Sequence, residues 1–260
     1  MSRSAAGELV RTWRMHRRRS QMDLALDVGV SPRHLSFVET GRSRPSPELL
    51  LALADGLDVP LRERNALLLA AGYAPRYPQT DLDDPAMEPA LAAVRRLLDA
   101  HDPFPGVAVD RWWNVVLTNS AAGALTEGVP EHVLAPGPNI YRLALHPDGL
   151  ARRTANFVEW AASLVAQLRR SVAVTGDAAL AALLAEVTSY PDVAAALARH
   201  PQLEPDELLV PLVLDVGNGN RLALFTIVAT LGSPRDVTLD ELAVELFYPA
   251  DESTAAALRG

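Results

Sequence analysis

The chain contains no cysteine and no lysine. Without Cys it has no disulfides, no thiolate zinc site and no thiol nucleophile. No apolar run reaches the ~18 residues that a membrane-spanning helix needs. Residues 1–20 are rich in Arg but lack the apolar core of a secretion signal. A cytoplasmic protein with no membrane partner is therefore expected. Catalytic motifs are also missing: there is no Gly-x-Ser-x-Gly elbow, no phosphate loop and no His-Glu-x-x-His pair. The six His are scattered without ligand spacing. His146-Pro147-Asp148 reads as a polar turn, and Gly217-Asn218-Gly219-Asn220 as a tight turn rather than a nucleotide loop, because no helix follows it. The expectation is a non-enzyme with no cofactor and no metal.

The 260 residues are 49% hydrophobic and 22% charged, a globular composition compatible with one large domain or two ordinary ones. The net charge of −8 is unevenly spread. Residues 1–76 hold 12 Arg against eight acidic residues, while residues 77–260 hold 12 Arg against 24. A basic head on an acidic body suits a head that meets phosphate. Residues 77–88 lie in a Pro- and Asp-rich stretch and read as a linker, leaving a second domain at 89–260.

The head reads as five short helices. The first spans about residues 7–18, with Leu9, Val10 and Trp13 on one stripe. Ser20 is placed to cap the second, which buries Leu24, Ala25 and Val28. Gly29 permits a left-handed turn. Ser31-Pro32 opens the third helix, where Ser caps and Pro fits the first position. Ser46-Pro47 opens the fourth, and a fifth runs over about 60–71. Two short helices joined around a Gly make a helix-turn-helix, whose second helix reads base edges with its N-terminal residues. Leu35 and Val38 are expected to face inward, and Pro32, Arg33, Ser36 and Phe37 outward. Arg33 can donate twice to a guanine edge and Phe37 can touch a thymine methyl. A packing role for Phe37 and a merely solvated face at Arg17, Arg18 and Arg19 remain open alternatives.

On Gln21, Gly29, Val30, Ser31, Leu35, Ser36, Glu39, Gly41 and Pro45, the head resembles the Cro/repressor-type helix-turn-helix of the xenobiotic-response-element family. The resemblance implies an all-α, five-helix, lambda-repressor-like fold that binds double-stranded DNA through Gln21, Ser31, Pro32, Arg33, His34, Ser36 and Phe37. It implies a phosphate contact by Gln21 and a structural pair between Arg14 and Glu39. Arg42 and Arg44, following the third helix, are expected to touch phosphate. Domains of this type can instead bind a protein.

In the second domain, a helix is expected at 89–100, strands at 106–110 and 112–118, and a helix at 120–125 capped by Asn119. Residues 150–198 read as helical and Ala-rich. Two β-rich runs follow at 208–216 and 221–231, and a closing helix is expected near 239–246. The stretches 106–119, 139–149, 234–242 and 247–254 resemble the ligand-binding domain of MmyB-type regulators. That resemblance implies a PAS-like α+β domain, with an antiparallel sheet, helices on one side and an apolar pocket between them. It also implies a small, apolar, fatty-acid-like ligand. Candidate lining residues are Trp112 or Trp113, Tyr141, Asn156, Trp160, Leu164 and Phe225, and Arg142 could hold a ligand carboxylate. The expectation is a ligand-responsive, DNA-binding homodimer. The alternative is a second domain that only dimerises or binds a partner protein.

Overall fold

The computed structural model describes residues 5–199, 209–217 and 219–260, and these divide into two compact units. No single helix among the described residues is long and apolar enough to cross a membrane.

The first unit holds residues up to 87 and takes in residues 232–240 from late in the chain. Its helices are α1 (Ala5–His16), α2 (Gln21–Asp27), α3 (Pro32–Glu39), α4 (Pro47–Gly56) and α5 (Leu61–Ala70). Three serines start three of them. Ser20 accepts from the Asp23 amide, Ser31 from His34 and Ser46 from Leu49, at 3.1, 3.1 and 3.2 Å. Each satisfies an amide that the first helical turn would otherwise leave without a partner. Leu24, Ala25, Leu35, Leu50, Leu53 and Leu57 meet in the core, with Val28 only partly buried beside them. Arg17 and Arg19, left open above as a solvated face, are tied down. Arg17 donates to the Leu57 and Asp58 carbonyls at 2.8 and 2.7 Å, and Arg19 pairs with Asp27.

The late segment completes this unit. Helix α5 follows Pro60, which offers no capping side chain. Asp240 takes that role, accepting from the Leu61 amide at 3.0 Å. Asp236 accepts from the Thr80 amide and hydroxyl at 3.0 and 2.6 Å, and the Val237 amide donates to the Pro78 carbonyl. The stretch read as a linker is therefore held by residues some 156 positions away in sequence.

The second unit is a five-stranded antiparallel sheet with helices on both faces. Its strands are β1 (Gly106–Val109), β2 (Val115–Thr118), β3 (Leu212–Gly217), β4 (Asn220–Thr230) and β5 (Ala243–Pro249), in the order β2-β1-β5-β4-β3. Its helices are α6 (Glu88–His101), α7 (Ser120–Leu125), α8 (Glu131–Leu134), α9 (Ile140–Leu145), α10 (Phe157–Thr175), α11 (Ala178–Ser189) and α12 (Pro191–Arg199). Two more are α14 (Glu252–Arg259), closing the chain, and the single turn α13 (Val237–Asp240), which belongs to the first unit. Residue 208, expected to begin a strand, and Asn218 of the expected tight turn lie outside the described residues.

Two expectations are corrected. Residues 239–246 do not form a closing helix: β5 occupies 243–249 and is the central strand. Leu239, Leu242 and Leu246 mimic a helical spacing, but β5 pairs with both β1 and β4 and is covered on both faces. A strand covered on both faces loses the polar alternation that would reveal it. Helices also lie on both sides of the sheet, not one. Leu98 and His101 of α6 approach Gly106 and Leu246 on one face. Trp160 and Leu164 of α10 join Glu245 and Phe247 around a cavity on the other.

Candidate functional sites: an exposed reading helix and an apolar cavity

Helix α3 presents its outer side to solvent. Leu35 and Val38 are buried, Ser31, Pro32 and Arg33 are exposed, and His34, Ser36 and Phe37 are half-buried. The Arg33 and Arg42 guanidinium groups lie 5.4 and 5.9 Å from the centre of the Phe37 ring. Phe37 thus holds two cations on either side of the outer end of α3 by cation–π attraction, worth about 0.5–1 kcal/mol each at exposed sites.

The angle of α3 against α1 is set by Glu39, which is 2% exposed. Arg14 grips it at both oxygens, Nε to Oε1 at 2.6 Å and Nη2 to Oε2 at 2.9 Å. Those bonds push the Arg14 guanidinium up from its ordinary value. The Gln21 amide donates to the same Oε2 at 2.7 Å. One of the two protons with which Gln21 could hold a phosphate is therefore committed inside the head. Arg44, expected at a phosphate, is exposed and also has a partner within the head. Its Nη2 donates to the Ala71 carbonyl at 2.9 Å and its guanidinium lies 4.8 Å from the Tyr73 ring centre. Arg44 ends helix α5, whose last carbonyls need partners. Arg42 remains exposed.

The second unit encloses a cavity of about 240 Å³ between the sheet and helices α7 to α10. Val107, Val115, Ile140, Leu143, Leu212 and Phe247 supply much of its apolar wall. Of the expected lining residues, Trp160 and Leu164 border it. The others do not. Phe225 points to the opposite face, stacked on Tyr248 at 5.6 Å, because it pairs with Tyr248, one register position away from the cavity-lining Phe247. Trp112 is exposed and donates to Asp177, the cap of α11. Trp113 packs edge-on against Tyr141 at 5.4 Å. Asn156 bonds the Pro211 carbonyl and the Val213 amide, tying the start of α10 to β3. Arg142 clasps Glu186 with two bonds of 2.7 and 2.8 Å and is not among the residues lining the cavity.

Sequence reasoning missed Glu245. It lies on β5, opposite Val107 of β1 and Val228 of β4, and among the described residues is the only charged one lining the cavity. Burial pushes its carboxyl up to about 7, and only the Thr226 hydroxyl acts against that. Its Oε2 has no hydrogen-bond partner. Two other buried polar atoms among the described residues share that condition, Tyr141 Oη and Trp160 Nε1. Buried polar groups are paired in the great majority of cases, so three orphans in one unit mark a place to explain. No pattern flagged Glu245, because its segment reads as the polar side of a helix.

Two family models match the chain. Residues 91–260 match the family described as MmyB-like transcription regulator ligand binding domain, and residues 5–67 match a helix-turn-helix domain. No curated protein matches the chain. A solved structure, described as that of an RNA-binding light-oxygen-voltage receptor, aligns at 14% identity and a TM-score of 0.29, over 99% of this chain and 61% of that one. With a helix-turn-helix head on a body that encloses an apolar cavity, the chain belongs to the MmyB-like transcription regulators.

Proposed function

We propose that the protein reads a specific operator as a cytoplasmic homodimer, and that a small apolar, fatty-acid-like ligand in the second unit controls the reading. The observation that carries the DNA part is the exposed outer side of α3, with Ser31, Pro32 and Arg33 open to solvent and the exposed Arg42 against Phe37. One helix of this kind reads only a few base pairs, so two half-sites supply affinity and selectivity. The cavity supports the ligand part: its wall is almost wholly apolar, and three buried polar atoms of the same unit have no partner. A ligand changes DNA affinity only by binding one conformation better than another.

Gel-shift titrations over single-base operator variants test the reading. Arg33→Ala is expected to lose discrimination at one base position, costing about 1–3 kcal/mol there. An equal loss on every sequence would reject base reading by Arg33.

A further inference from the structure

We infer that His132, His146 and Asp148 form a site for a divalent transition-metal ion of the zinc type, and that the ion ties helix α8 to the turn after α9. This site is separate from the reading of the apolar cavity, and its test needs no cavity ligand.

The three residues meet only in the folded chain. In sequence His146-Pro147-Asp148 is a polar turn, and His132 belongs to another helix, α8. In the structure one nitrogen from each ring and one Asp148 oxygen all lie within 4.8 Å of one another. His132 Nε2 is 3.2 Å from Asp148 Oδ2. A tetrahedral ion with bonds of about 2.0–2.2 Å holds its ligand atoms about 3.4 Å apart. His132 and Asp148 already stand at that separation, and His146 has to approach by at most about 1.4 Å. Side-chain rotation supplies such a step, because the His132 and Asp148 side chains are 59% and 42% exposed. The same exposure opens the site to an ion from solvent, and three protein ligands leave a fourth position for water.

The donor set selects the ion. Imidazole suits zinc, nickel and copper, whereas magnesium and calcium ask for oxygen ligands and would find one carboxylate here. The neighbouring charges do not decide the matter. Arg152 lies 3.9 Å from Asp148 Oδ1, and Glu186, lowered partly by the charge of His146, is held by Arg142 and the Tyr190 hydroxyl. Two acids against two arginines leave little net field, so affinity comes from the ring nitrogens. His146 Nδ1 accepts from the Asp148 amide at 3.0 Å. An ion at Nδ1 takes the place of that amide, which belongs to an exposed residue and turns to water. An ion at Nε2 takes the place of the ring proton.

The site also has a position. Leu134 of α8 and Leu143 and Ala144 of α9 belong to the cavity wall. His132 shares α8 with Leu134, and His146 ends α9. An ion joining the two rings therefore restrains two helices that cover the cavity.

Isothermal titration of the untagged full-length protein at pH 7 with zinc chloride, and separately with magnesium chloride, tests this. Zinc is expected to bind, and magnesium to show no binding up to about 1 mM. His132→Ala, on an exposed side chain that the fold does not need, is expected to weaken zinc at least about tenfold, and Asp148→Asn severalfold. Hydrogen exchange of the α8 amides is expected to slow when zinc is added to the parent and to stay unchanged in His132→Ala. Absent zinc binding, equal zinc affinity in the parent and His132→Ala, or magnesium binding as tightly as zinc overturns the site. Zinc binding that leaves α8 exchange in the parent unchanged overturns the tie between the helices.

Discussion

Glu245→Gln replaces one carboxyl oxygen by an amide nitrogen at nearly constant volume, which isolates charge from packing. The buried carboxyl has its midpoint pushed from an ordinary 4.5 to about 7. Below about pH 4.5 the group is protonated both folded and unfolded, and charge costs nothing. Between those two values the unfolded chain releases its proton while the folded chain keeps it, so stability falls as pH rises. Above pH 7 the folded protein carries the full penalty, about 3 kcal/mol at roughly 1.4 kcal/mol per pKa unit. Gln never ionises and lacks this slope. Its buried NH₂ adds a cost of its own, but one that does not change with pH. The difference in melting temperature between Glu245→Gln and the parent should therefore climb by about 6–12 °C from pH 4 to pH 8, at 2–4 °C per kcal/mol for a unit of this size. Differential scanning calorimetry of the full-length proteins across that range measures it. A difference that stays flat with pH would show that Glu245 titrates as an exposed acid, and the account of the cavity wall would fail.

Three other substitutions probe the rest of the scaffold. Arg14→Ala leaves Glu39 buried with Gln21 as its remaining side-chain partner, and should cost about 3–5 kcal/mol; hydrogen exchange of the α3 amides should rise accordingly, and unchanged protection would show the pair to be ornamental. Arg44→Ala should destabilise the head by about 1 kcal/mol through the lost bond to the Ala71 carbonyl, and leave the salt dependence of operator binding intact. A salt slope smaller by about one would instead restore Arg44 to phosphate contact. Gly149→Ala would place a Cβ 2.3 Å from the Leu143 carbonyl oxygen, in the turn that follows α9. That overlap should lower stability by about 1–3 kcal/mol in urea unfolding, and a neutral result would contradict the turn geometry.

The head was legible because its signals are local. Ser20, Ser31 and Ser46 announce helix starts within three residues of the amides they cap, and Gly29 marks the turn by its positive φ of 72°. The register of Leu35 and Val38 on α3 followed from spacing alone, so the outward set from Pro32 to Phe37 could be named in advance. What Arg44 and Arg142 do could not be, since a free cation and a committed one have the same sequence. The Ala71 carbonyl and Glu186 that commit them lie 27 and 44 residues away.

The second unit divides differently. Asn119 as the cap of α7, with helix α6 and strands β1 and β2 close by, came from nearest-neighbour chemistry. The central strand β5 did not, and with it went Glu245, the residue on which the cavity's chemistry turns. From the sequence alone came the five helices of the head, the first elements of the second unit and the basic charge of the head. Which face Phe225 or Glu245 looks onto, and whether a charged side chain is free or spent, came only with the folded chain. Strand pairing and ion pairing join residues far apart in sequence, and their energies depend on neighbours that local spacing does not specify.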